Sequence, residues 1–260
     1  MRIVRLTDER ELVRLYAFRY RVFVEELGWM ARKDRGAHLL VDEFDGEAAE
    51  YAAYDRSGQV VGSLRAVPDG PLGLPLERCR VLDGYRDDKR LVELSRLAVA
   101  PAWRCTMLAA LLMKAGYQWA ERNGATHVVL DTYAGKGDSP DRLYIKLGFE
   151  QLTRPYQDPD YLWKQAVVTF ALDIEGAKRD WPSLRPSLHH FFTTADERID
   201  HALPRRPKLR SVPQPEPRPD RRRGGIGAPM RPRPAAAEAA RGRASAVGQK
   251  PRQAHRVDGA

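Results

Sequence analysis

Between Leu91 and Gly124 the chain reads LVELSRLAVAPAWRCTMLAALLMKAGYQWAERNG, and no other stretch constrains the fold as much. Leu91–Val99 is an apolar run interrupted by Glu93, Ser95 and Arg96. Pro101 breaks it. Leu108, Leu111, Leu112, Ala115 and Trp119 then recur at helical spacing, and Gly124 stands where a C′ glycine would. The pattern predicts strand, turn, helix. Acid and base three apart in an apolar strand are rare unless they pair or do chemistry, so Glu93 and Arg96 are the first candidates for a site.

The rest of the chain builds around this unit. Arg2–Leu6 reads as a short strand. Asp8 with Glu11 resembles a capping box, and Glu9 adds a second acid to the first turn. Leu12, Leu15, Phe18 and Val22 form one apolar stripe of an amphipathic helix to Leu27, ended by Gly28. Arg14, Arg19, Arg21, Glu25 and Glu26 are assigned to its surface. Trp29 opens an irregular charged segment to Ala37. Glu50–Asp55 and Gln59–Val67 predict a hairpin. Pro68–Arg90, with Pro68, Gly70, Pro71, Gly73 and Pro75, reads as a loop holding a short helix. Thr126–Tyr133 is a β-branched strand. Ser139-Pro140 would cap the helix Asp141–Leu147, which closes on Gly148. Glu150–Arg154 and Leu162–Ile174 are final strands, and Glu175–His201 is helical or irregular. The fold class is α/β (α+β), a mixed sheet flanked by helices.

Charge sets this domain apart from the C-terminal segment. Residues 202–260 carry 15 of the 44 Lys/Arg and 4 of the 35 Asp/Glu, a surplus of 11 positive charges against +9 for the whole chain, so residues 1–201 stand at −2. The basic surplus belongs to a segment rich in Pro, Arg, Ala and Gly with no apolar periodicity. Such a segment is expected to be a disordered tail, either simply solvated or able to touch nucleic acid or acidic partners. The expected organisation is a domain at 1–174, a helical extension at 175–201 and the tail at 202–260. Cys79 and Cys105 have no metal-site spacing and imply no disulfide framework. His38 and His127 stand alone, so no metal site is expected. Neither a signal peptide nor a membrane span is legible, which makes a cytoplasmic location the expectation.

Val99-Ala-Pro-Ala-Trp-Arg104 and Tyr144-Ile-Lys-Leu-Gly-Phe149, taken with the element order, resemble the GNAT superfamily of N-acyltransferases. Phe18-Arg19-x-x-x-Phe23, Leu27-Gly28-Trp29, Glu43-Phe44-Asp45, Gly62-Ser-Leu-Arg65 and Glu93-Leu-Ser-Arg96 are further similar to acyl-homoserine-lactone (autoinducer) synthases and to N-acyl amino acid synthases. The likeness runs from Met1 to Ile174. It implies a V-splayed central sheet and transfer of an acyl group, expected to be fatty, from an acyl-carrier-protein or acyl-CoA thioester to a small primary amine. It implies no permanently bound cofactor. The chain departs from the autoinducer-synthase pattern at Glu26, where a basic or amide residue is expected, and at Ala48, where a second aspartate would follow Asp45. Both departures favour an acceptor other than S-adenosylmethionine. The superfamily's pyrophosphate loop falls on Arg104–Ala109 with Met107 at its first glycine position. A side chain there hinders backbone approach to phosphates and argues against ordinary acetyl-CoA use.

The implied chemistry is attack of an amine on a thioester, which needs a base and oxyanion donors. Glu93 is the candidate base, with Arg96 beside it. The alternative is a charge cluster that only fixes the strand and entry loop. Residues 93 and 96 point to opposite faces of a regular strand, so either a bulge joins them or each has another partner. Arg65–Glu93 and Asp45–Arg96 are the expected pairs. Tyr144 is a candidate acid for the leaving thiolate, or else a core tyrosine. Phe23 and Trp29 are candidate walls of the acceptor pocket, Arg19, Asp45, Arg65 and Ser95 candidate substrate-binding residues, and Thr132 a candidate lining of the acyl channel. Val99, Arg104, Met107, Leu108 and Ala109 form the candidate donor segment. Two rival functions remain open at this level: an acetyl-CoA-dependent acetyltransferase, and an inactive module whose basic tail binds nucleic acid or a partner.

Overall fold

A computed structural model describes residues 1–30, 36–79, 82, 84–134, 140–158 and 166–201. Strands β1 (Arg2–Leu6), β2 (Ala49–Tyr54), β3 (Val60–Pro68), β4 (Leu91–Val99), β5 (His127–Tyr133), β6 (Glu150–Gln151), β7 (Tyr156–Gln157), β8 (Ala166–Asp173) and β9 (Ile199–Asp200) form one sheet. Its order is β6-β8-β5-β4-β3-β2-β1-β9, with β7 also on β8. The β4–β5 and β1–β9 pairs are parallel and the others antiparallel. The helices are α1 (Glu9–Tyr20), α2 (Leu108–Arg122), α3 (Asp141–Lys146), α4 (Ile174–Leu184) and α5 (Pro186–Thr193).

Each half of the sheet is buried by a period-2 split. On β2, Tyr51 and Ala53 join the core shared with α2, α4 and α5, while Ala52 and Tyr54 pack with Leu15, Phe18 and Val22 of the α1 side. Helix α2 lies close to the sheet because Gly116 permits it. A Cβ there would come within 2.7 Å of Leu64 and Leu94. The hairpin turn is fixed by the Asp55 carboxylate, which accepts from the Ser57 and Gln59 amides.

Several local expectations need correction. Asp8 caps α1, accepting from the Arg10 and Glu11 amides, but the box is not closed by Glu11, whose carboxylate instead pairs with Arg14 and accepts from the Tyr54 hydroxyl. The helix changes to a π-helical turn over Arg21–Glu26 before Gly28, which takes φ +61°. Arg19 is not on the surface but fully buried. The strand expected at Glu150–Arg154 is only two residues long, and β7 was not foreseen. The segment after Glu175 contributes a strand, β9, as well as two helices. Ser139, the start of the strand expected at Leu162, and residues 202–260 lie outside the described residues.

The sequence expected either a bulge that joins Glu93 to Arg96 or separate partners, and the structure has separate partners, Asp42 for Arg96 and the Leu76 amide for Glu93, with a bulge that does not pair the two. In the β3–β4 ladder Ser63 faces Ala98 but Arg65 faces Ser95, so β4 carries one extra residue there. Arg96 sits in that bulge with φ +55°, a conformation unfavourable for a side chain. The bulge re-aims a guanidinium at the end of the sheet where β4 leaves β5.

Candidate active site

Strands β4 and β5 are paired only over Leu91–Glu93 and His127–Val129. Past that rung β4 stays on β3 and β5 stays on β8, so the sheet forks. A cavity of about 420 Å³ fills the fork, within the usual size of a small-molecule site. Glu93, Ser95 and Arg96 line it from β4, Asp131 and Thr132 from β5, and Tyr144 from α3. Phe23 of the π-helical turn and Trp29 just after Gly28 line it too, their rings 6.0 Å apart, and Trp29 meets Tyr133 of β5 edge-on at 4.7 Å. Val99, Arg104 and Ala109 line it on the α2 side.

Five candidates lie elsewhere. Leu108 is core, 1% exposed, and Met107 is 58% exposed outside the lining. Arg19, Asp45 and Arg65 are buried behind β4 in a charge network. Arg19 pairs with Glu50, lies 3.4 Å from Asp45, and donates from Nε to Ser63 Oγ at 2.8 Å. Ser63 Oγ in turn donates to the Arg96 carbonyl at 2.8 Å. Arg65 reaches Asp42 at 2.6 Å and Asp45 at 2.9 Å, and donates to Ser95 Oγ at 3.1 Å. Asp42 also holds Arg96 at 2.8 Å. The expected pairs Arg65–Glu93 and Asp45–Arg96 are therefore replaced by Arg65–Asp42/Asp45 and Arg96–Asp42. The entry loop brings both its aspartates to the arginines and leaves Glu93 to the cavity. Asp42, three residues before Asp45, brings a second carboxylate of the entry loop to Arg65 and Arg96.

Burial would raise the Asp42 and Asp45 carboxyls, but the guanidiniums of Arg65 and Arg96 on one, and Arg65 and Arg19 on the other, hold both below the usual carboxylate range. Glu50 goes the other way, pushed up to about 7 by burial against the pull of Arg19. Glu93, 1% exposed, accepts from the Leu76 amide at 2.8 Å. Burial first, and then the Asp131 charge, raise its carboxyl above the ordinary range. Asp131 is raised in turn by burial and by Asp158. Tyr144, 5% exposed, is kept protonated by burial and by Asp131. A raised acid and a neutral tyrosine lining one cavity are suited to moving protons.

Asp42, Glu50 and Asp131 were missed by the sequence reading. Asp131 could have been found, since it interrupts the apolar strand HVVLDTY as Glu93 interrupts its own. Asp42 and Glu50 carry no such local signal. Among the described residues no three His, Cys, Asp or Glu side chains group so as to hold a metal ion. No described helix is long and apolar enough to cross a membrane.

A mixed sheet forked between two parallel strands, with α2 following the inner one across a Pro-Ala-Trp-Arg turn, is GNAT-like. The family model for the N-acyl amino acid synthase FeeM matches residues 14–173, more than half of the sequence, and the chain belongs to that family of N-acyltransferases. Among solved structures it is similar to FeeM, an N-acyl amino acid synthase from uncultured soil microbes, with 19% identity over 68% of this chain and 92% of that one and a TM-score of 0.55. BjaI, a CoA-dependent acyl-homoserine lactone synthase, matches at 19% identity over 78% and 94% of the two chains, TM-score 0.57. MesI, of the same description, matches at 19% over 77% and 100%, TM-score 0.53. At these identities the structural likeness shows the fold. No curated protein matches the sequence.

Proposed function

We propose that the protein transfers a fatty acyl group from a carrier-protein or CoA thioester to the amine of a small amino-acid-like acceptor, giving an N-acyl amino acid or an acyl-homoserine lactone. The observation that carries this reading is Glu93, a buried carboxyl with no ion-pair partner among the described residues, facing a cavity at the fork of the sheet. In the reaction Glu93 takes the amine proton, directly or through water, as the nitrogen attacks the thioester carbonyl. Tyr144 returns a proton to the leaving thiolate. Arg96, fixed by Asp42, orients the acceptor, while Phe23 and Trp29 wall its pocket and Thr132 lines the path of the chain. Arg19, Asp45 and Arg65 support the site from behind rather than touching substrate, while Ser95, held by Arg65, lines the cavity.

A cavity of about 420 Å³ exceeds the needs of an acetyl group and favours a longer chain. The exposed Met107 side chain at the start of α2 disfavours a pyrophosphate cradle there, which leans towards a carrier-protein donor. The CoA dependence of BjaI keeps CoA as the other donor. The test is mass spectrometry of lipid extracts from cells overproducing the protein beside a Glu93→Gln control. New N-acyl amino acids or acyl-homoserine lactones that are absent from the control support the reading and name acceptor and chain length together. Absence of any new acylated species from both strains refutes it.

A further inference from the structure

We propose that Asp131 is the second carboxyl of a two-carboxyl acceptor site, and that Glu93 and Asp131 together receive a strongly basic primary amine as its ammonium ion. The proposal rests on the acyltransferase reading of this cavity and deepens it. Glu93 pairs across the ladder with Val129, and Asp131 lies two residues further along β5, so both side chains fall on one face of the sheet. Both line the cavity.

Among the described residues no ion pair neutralises either carboxyl. Three arginines line the cavity, and each is tied to an acid outside its lining: Arg78 to Glu43, Arg96 to Asp42, and Arg104 to Glu26. Among the described residues no Lys or Arg forms an ion pair with Glu93 or Asp131. The charged and titratable groups facing Asp131 are Glu93 on β4, Arg65 and Arg96 beyond it, Tyr144 on α3, Tyr156 on β7, and Asp158. Asp158 is occupied by the Cys79 thiol, which donates to it at 3.0 Å. Acid in a cavity that no described cation pairs with is matched by a cation from the substrate.

The arithmetic fits one ammonium. In this proposal the two carboxyls hold one proton between them, so that the pair carries a single negative charge. The bound ammonium gives one proton to the pair, which becomes neutral, and the free amine attacks the thioester. The C–N bond forms and the C–S bond breaks. The second nitrogen proton goes to the thiolate, and the pair returns its own proton to water. One proton is released per amide formed. Without Asp131 the Glu93 carboxylate loses a neighbouring charge that raises it, so it takes a proton from a strongly basic ammonium less readily.

Leucinamide and isopentylamine share an alkyl group but differ in basicity. Their amines titrate near about 8 and about 10.4, a difference of roughly 300-fold in free base at neutral pH. Acylation of each by dodecanoyl-CoA, read as released thiol, is followed from about pH 6.5 to about pH 9.5 in the wild type, Asp131→Asn and Asp131→Glu. In Asp131→Asn, kcat/KM for isopentylamine at neutral pH is expected to fall at least tenfold more than for leucinamide and to recover as pH rises, while Asp131→Glu keeps the wild-type profile. An equal loss for both amines with an unchanged pH profile, or no loss, overturns the proposal. Binding is measured separately by calorimetry with isopentylammonium chloride and with isopentanol. The wild type is expected to favour the ammonium by at least about tenfold and the double variant Glu93→Gln/Asp131→Asn, which removes both carboxyls, to lose the preference. No preference in the wild type overturns the proposal whether or not any variant folds. Preference without turnover on either dodecanoyl-CoA or a dodecanoyl carrier protein leaves the ammonium site standing and refutes the acyltransferase reading instead.

Discussion

Asp45→Ala tests whether the charge network behind β4 is what holds the entry loop on the sheet. Asp45 is 5% exposed at its side chain and serves three donors: Arg65 at 2.9 Å, Arg19 at 3.4 Å and the Asp42 amide at 2.7 Å. Its removal leaves guanidiniums that are 0% and 1% exposed with less negative charge than they were folded around. Glu50 and Asp42 remain on them, so the penalty belongs at the lower part of the about 3–5 kcal/mol seen when one member of a buried ion pair is deleted. For a domain of this size that is a fall of roughly 6–12 °C in Tm. Urea unfolding followed by circular dichroism at neutral pH gives the number directly. Arg65→Met and the double variant complete a cycle, whose coupling should be at least about 1 kcal/mol because the two groups touch. A loss below about 1 kcal/mol for Asp45→Ala, or additive single effects, would mean that the loop is held by its apolar contacts and that the ion pairs are incidental.

The same geometry sets other expectations. Glu93→Gln should lower turnover about a hundredfold with little change in unfolding free energy, and unchanged kinetics would remove Glu93 from the mechanism. Glu50, held near 7 in the fold against an ordinary 4.5, binds its proton more tightly folded than unfolded. Its contribution is fully present below about pH 4.5 and is lost as pH rises through about 7. Stability should therefore fall by up to about 3 kcal/mol between roughly pH 5 and 8, with the slope reduced in Glu50→Gln. A slope shared by wild type and variant assigns the effect to another group. Gly116→Ala should destabilise by about 1–2 kcal/mol, since overpacking against Leu64 and Leu94 outweighs the gain in helix propensity. A more stable variant would show that α2 has room to move off the sheet.

The elements that local pattern controls were legible in the chain. Strand β4 occupies Leu91–Val99 as read, because an apolar run closed by proline admits few other structures. Helix α2 follows its leucine stripe to a positive-φ glycine at 124. The acid and base set in β4 mark the strand that borders the fork, since charge inside an apolar strand needs a reason. What the sequence could not decide is which charge meets which. Asp42, Asp45, Glu50, Arg19, Arg65 and Arg96 come from five separate segments, and partners so far apart in the chain are chosen by the packing of the loop on the sheet. The one-residue bulge at Arg96 and the parting of β4 from β5 after Glu93 are likewise properties of strand pairing. They leave Glu93 and Asp131 together in a cavity, with each arginine of its lining held by an acid elsewhere.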